Sequence, residues 1–71
     1  MKVLSKQIVL DLLKNGDTLN YDQVAVRVYV EGGAELTERG TVRFDTYLKL
    51  VGEKIIKKIG QRYLTEIYTL A

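Results

Sequence analysis

Apolar residues near the amino terminus recur at helical spacing. Ile8, Val9, Leu12 and Leu13 make one side of an amphipathic helix, with Lys6, Asp11 and Lys14 on the wet side. Ser5 stands before the run as an N-cap and Asn15-Gly16 follows it as a left-handed stop. The next segment, Leu19 to Val30, carries two periods at once. Asn20 and Gln23 are spaced as a capping box, which puts Val24, Ala25 and Val28 on one helical face. Val24, Val26, Val28 and Val30 also alternate at strand period, and β-branched residues favour strands. The capping residues and the neighbouring pattern select the helix. Gly32-Gly33 ends this element, and Ala34 to Gly40 reads as a polar loop.

From Thr41 to Val51 a third helix is expected, burying Phe44, Leu48 and Val51 with Tyr47 beside them. Arg43, Thr46, Lys49 and Asp45 then point outward. Val42, Phe44, Thr46, Leu48 and Leu50 alternate as well, so a strand competes here too, and Gly52 stops the element either way. Residues 53–71 are apolar and basic by turns, and predict two short strands folded back at Ile59-Gly60-Gln61-Arg62. The expected fold is α+β: three helices followed by a C-terminal β-hairpin, in a single domain over residues 1–71. The alternative is one helix on a four-stranded antiparallel meander, with Gly32-Gly33 and Gly60 near chain reversals. A continuous helix over 44–70 is opposed by Gly52 and Gly60, each costing about 1 kcal/mol relative to alanine.

Composition narrows the function classes. A chain of 71 residues makes one small domain; chains of this size bury only about 60% of their unfolded surface, so partners or staples matter. The absence of cysteine and histidine removes disulfides, thiolate chemistry and the usual zinc ligands. It also leaves Ser5 with no visible activating base, so no enzyme, metal or cofactor is expected. No apolar run has the length of a membrane span or the form of a signal peptide, and a cytoplasmic location is expected. Net charge is +2, unevenly spread. Residues 1–35 hold four cations and five carboxylates, whereas residues 36–71 hold seven and four.

Nearly the whole chain carries a resemblance. Asn20-Tyr-Asp-Gln-Val-Ala, then Thr41-Val-Arg…Tyr47-Leu-Lys-Leu, then Lys54-Ile-Ile-Lys-Lys-Ile-Gly…Tyr63-Leu-Thr…Ile67-Tyr-Thr-Leu70 together resemble the second helix, third helix and wing of a winged helix-turn-helix domain. The chain departs from that pattern in the long stretch from Glu31 to Gly40 and in Lys54, where a glycine often precedes the wing. The resemblance implies double-stranded DNA binding by a small transcriptional regulator or a phage or mobile-element accessory factor, acting as a homodimer. Arg43, Thr46 and Lys49 would form the groove-facing ridge, with Arg39 and Thr41 at its amino end. Lys57, Lys58 and Arg62 would brace the sugar-phosphate backbone.

Two other readings stand beside this one. Lysines on an edge strand deter sheet-to-sheet aggregation without binding anything. A different class altogether is a small protein-binding inhibitor or adaptor, possibly phage-encoded, that occludes a partner's surface. Tyr21, Tyr29, Tyr47, Tyr63 and Tyr68 are expected at the rim of the core or at a subunit interface, where a ring is buried and a hydroxyl stays wet.

Overall fold

The computed structural model describes residues 2–71. Along the chain it forms β1 (Val3–Leu4), α1 (Lys6–Lys14), β2 (Thr18–Asp22), β3 (Arg27–Gly32), β4 (Thr37–Val42), α2 (Phe44–Gly52), β5 (Ile56–Arg62) and β6 (Thr65–Leu70). The six strands make one sheet in the spatial order β1-β4-β3-β2-β6-β5. β2, β3 and β4 are an antiparallel meander, β6 adds antiparallel to β2, and β5 lies outside β6. β1 closes the other edge, parallel to β4 over two residues.

Register decides which residues share a face. Leu19 lies opposite both Val30 and Tyr68, and Val28 lies opposite Val42. These side chains form a single core with Leu4 and Ile56, with Val9 and Leu13 of α1, and with Tyr47 and Leu50 of α2. Both helices therefore cover the same side of the sheet. Two glycines allow close approach at its edge. A Cβ on Gly40 would lie 2.9 Å from the Leu4 side chain and from the Lys2 carbonyl oxygen, so β1 could not seat against β4. A Cβ on Gly32 would lie 1.9 Å from Asp17 Oδ1.

α1 forms as its sequence predicts. The Ser5 hydroxyl accepts from the Ile8 N–H at 3.3 Å. At the far end the Gly16 N–H donates to Leu13 C=O and the Asp17 N–H to Leu12 C=O, with Gly16 at φ +98°. α2 ends in the same motif with a residue rarely found there. Lys54 takes the left-handed position at φ +59°, its N–H bonded to Val51 C=O and the Ile55 N–H bonded to Leu50 C=O.

The expected three-helix architecture with a C-terminal wing, and the winged helix-turn-helix frame with it, do not stand: there are two helices and a six-stranded mixed sheet. The four-stranded meander falls short by two strands and one helix. Residues 19–30 form the β2–β3 hairpin, because pairing Leu19 with Val30 and Tyr21 with Val28 puts apolar residues on one face. The polar pair read as a capping box caps no helix: Asn20 lies in β2 and Gln23 in the turn that follows it. Asp22 Oδ1 accepts from the N–H groups of Val24 and Ala25, capping the turn, and Val24 is 72% exposed. Thr37 to Gly40, read as loop, belongs to β4, and the helix expected from Thr41 is α2, which begins at Phe44. The C-terminal hairpin is present, but it reverses at Tyr63-Leu64; Gly60 instead follows a bulge within β5.

Candidate functional site

The basic residues singled out in the sequence are dispersed. On β4, Arg39 Nε donates to Asp17 Oδ2 at 3.0 Å, and the Thr41 hydroxyl and N–H both donate to Lys2 C=O. Arg43 is the N-cap residue of α2, and its Nε donates to Asp45 Oδ1 at 3.1 Å. Thr46 is half-buried, leaving Lys49 as the exposed cation of that helix. At the opposite side of the sheet, Lys58 Nζ reaches Gln61 Oε1 at 2.8 Å and Glu66 Oε2 at 3.3 Å, while Arg62 donates to Glu31 Oε1 at 3.2 Å. Lys57 is exposed and pairs across the ladder with Thr69.

β4 and β5 are four strand spacings apart, about 19 Å. Arg39, Arg43, Lys58 and Arg62 each hold a carboxylate of this chain, whereas Lys49 and Lys57 hold none among the described residues. The Asp45 carboxyl titrates below its ordinary range: slight desolvation raises it, but hydrogen bonds from the Arg43 guanidinium and the Thr46 N–H outweigh that.

The sheet face away from the helices is likewise neutralised from within. Arg27 pairs with Glu38 and lies over the Tyr29 ring, 4.9 Å from its centroid. Arg62 reaches Glu31 across β6 and β2, a path that crosses the Ile67–Asn20 pair. Asn20 is wholly buried and donates to Thr18 C=O and Oγ1. Burial raises the Tyr29 pKa, and Glu31 adds to the rise.

The helical layer tells a different story. α2 is locked onto the sheet by an aromatic shelf. Tyr47 OH meets Tyr68 OH at 2.7 Å, Tyr68 OH donates to Glu66 Oε1 at 2.8 Å, and the Tyr47 ring lies 5.2 Å from that of Tyr21. Burial pushes the Tyr47 pKa up, and pushes that of Tyr68 well above the ordinary phenol range. With Tyr47 and Leu50 turned inward, the stripe Phe44, Leu48 and Val51 is left outside. That reverses the sequence expectation for this helix. Leu48 is 52% exposed.

The stripe continues beyond the helix. Phe44 and Val26 line one open depression of about 350 Å³, together with Ala25, Val28 and Val42 and the polar Arg27 and Thr41. Val26 and Val24 occupy the β2–β3 turn. The next residue back, Gln23, donates its N–H to Leu64 C=O at 3.0 Å, which ties this turn to the exposed Tyr63-Leu64 turn of the β5–β6 hairpin. One apolar ribbon thus runs from Val51 to Tyr63.

Two of its members sit in strained turns. Val26 has φ +50° and Tyr63 φ +55°, where side chains with a Cβ are disfavoured by about 1–2 kcal/mol. Tyr63 is 93% exposed. It holds the first of two turn residues, a place that tight hairpins give to glycine or asparagine. Sequence reasoning placed Val24, Val26, Tyr63 and Leu64 in helix or strand and did not see them as exposed turn residues. The available signal was negative: apolar residues fill turns that have no glycine, asparagine or proline. Comparison with protein-family models, with curated proteins and with solved structures finds no match. No helix of the described residues is long and apolar enough to cross a membrane.

Proposed function

We propose that this chain is a protein-binding module, a small adaptor or inhibitor that works by covering a partner's surface with the ribbon. The observation that carries the reading is α2, which is apolar on two sides while the fold buries only one. A contiguous apolar patch left exposed beside a buried face marks an interaction surface. The exposed ribbon side chains present on the order of 800 Å², comparable to one side of a standard protein interface. The turn strain at Val26 and Tyr63 agrees with this reading, because backbone strain concentrates where a fold is shaped for contact. Its basic residues support an apolar partner more than a polyanion, since most of them are already engaged by carboxylates of this chain.

The test is affinity capture from nuclease-treated extract, followed by reconstitution with the purified partner. Leu48→Glu changes an exposed side chain and leaves the core intact. It is expected to weaken the reconstituted complex at least 30-fold, as for a central interface residue. Affinity of the native pair should stay nearly flat between about 50 and 200 mM salt, a range over which phosphate-driven binding drops by orders of magnitude. A complex with duplex DNA that weakens steeply over that range and ignores Leu48→Glu would overturn the proposal.

A further inference from the structure

We infer that the open edge of β5 is a second binding site, which takes an extended acidic segment of another protein as an added antiparallel or parallel strand. It stands on residues different from those of the ribbon. β5 is the outermost strand on its side of the sheet and seven residues long, and only its β6 side is paired. The directions of its backbone groups follow from the ladder. Ile55 C=O accepts from the Ala71 N–H at 2.9 Å, so residue 55 faces β6. By alternation Lys57 does too, while Ile56 and Lys58 turn their N–H and C=O outward. The two-residue turn fixes Arg62 toward β6 in the same way and leaves Gln61 facing out.

Charge selects the occupant. Each of six cations pairs with a different carboxylate. Among the described residues, Lys2, Lys14, Lys49, Lys54 and Lys57 are left without ion-pair partners, as are the acids Asp11, Asp22 and Glu35. Three of those five lysines fall in the stretch that leads into this edge: Lys49 in the last turn of α2, Lys54 at its left-handed C-terminal position, and Lys57 on β5 itself. None of the three unpaired acids lies on β5 or next to it in the chain. A second copy is a poor occupant, because edge-to-edge pairing would bring Lys54, Lys57, Lys58 and Arg62 of one protomer against the same cations of the other. The bulge between Lys58 and Gly60 also turns the edge away from a flat partner of its own kind. An acidic segment avoids the charge clash and, being flexible where a second copy's edge is fixed, can follow the bulge: its backbone supplies the missing ladder bonds and its carboxylates answer the lysines.

The experiment titrates the ¹⁵N-labelled chain with three capped six-residue peptides: alternating Glu and Val, alternating Lys and Val, and the acidic peptide with a central proline. The acidic peptide is expected to shift the amides of Ile56, Lys58 and Gln61 and to slow their exchange at least tenfold. The basic peptide should leave them unchanged, and the proline peptide should bind at least tenfold more weakly. Lys57→Glu alone should weaken the acidic peptide at least fivefold, and Lys54→Glu with Lys57→Glu should reverse the preference in favour of the basic one. Val24→Glu, a ribbon change in the β2–β3 turn, should leave peptide binding as it is, which separates this site from the ribbon. Equal binding of the proline peptide, shifts confined to lysine side chains, or indifference to Lys57→Glu would each overturn the inference, reducing the lysines to guards of a bare edge.

Discussion

Replacing Val26 and Tyr63 with glycine should make the protein more stable and a poorer binder at once. Relief of positive φ contributes about 1–2 kcal/mol at each position. Glycine's extra freedom in the unfolded chain takes back about 0.5–1 kcal/mol. Tyr63 loses almost no burial, while Val26, about one third buried, gives up roughly 0.5 kcal/mol of apolar contact. The net gain for Tyr63→Gly is about 0.5–1 kcal/mol, and for Val26→Gly close to zero or slightly positive. Together they amount to about 1 kcal/mol, which moves the melting temperature up by roughly 4–8 °C in a domain this small. Thermal and urea unfolding followed by circular dichroism read the first effect. Titration with the captured partner reads the second, an expected loss of at least tenfold in affinity. Leu36→Gly is the control, because Leu36 also has positive φ (+52°) and is exposed, but lies in the β3–β4 turn outside the ribbon. It should stabilise without touching binding. A double variant that is less stable than the native chain refutes the strain; one that binds the partner as well as the native chain refutes the role assigned to the turns.

Two further outcomes follow from the packing. Gly32→Ala must evict the Asp17 carboxylate and break its 3.0 Å bond from Arg39, at a cost of about 1–3 kcal/mol; urea midpoints should show that Asp17→Ala with Gly32→Ala loses clearly less than the two single losses added, and strict additivity would deny the clash. Burial holds the Tyr29, Tyr47 and Tyr68 phenols above their ordinary pKa, so the stability they contribute is complete below about pH 10 and is lost as pH climbs through the raised values. Urea unfolding across an alkaline series should show that decline, and Tyr68→Phe should flatten it while lowering stability at neutral pH by about 1 kcal/mol; an unchanged alkaline slope would count against Tyr68.

Local signals in the sequence were the ones that survived. Ser5 and Gly16 act on their own helix, so α1 could be read at both ends. The apolar-basic alternation of residues 53–71 announced a hairpin, but its turn was misplaced at residues 59–62, because Gly60 looked like a reversal and Tyr63 looked like a strand. Residues 19–30 fit two periods, and the choice fell to their pairing with β4 and β6, which no local window contains. α2 presented two apolar stripes, and only the shelf of Tyr21 and Tyr68 determines which one turns inward. The candidate cations were visible as residue types. Their engagement was not, since Arg39 meets Asp17 from 22 positions away and Arg62 meets Glu31 from 31.

The place of β6 has a consequence for how the chain is made. It follows the other five strands in chain order, yet it lies between β2 and β5 in the sheet. Until it emerges, a growing polypeptide presents Thr18–Asp22 with one side of its ladder vacant, and β5 has nothing to join. Closing that gap links Asp22 with Thr65 across a long stretch of intervening chain, a slow step entropically. Ribosome-bound intermediates ending before Thr65 should therefore be the species most prone to aggregate and the ones a chaperone would meet.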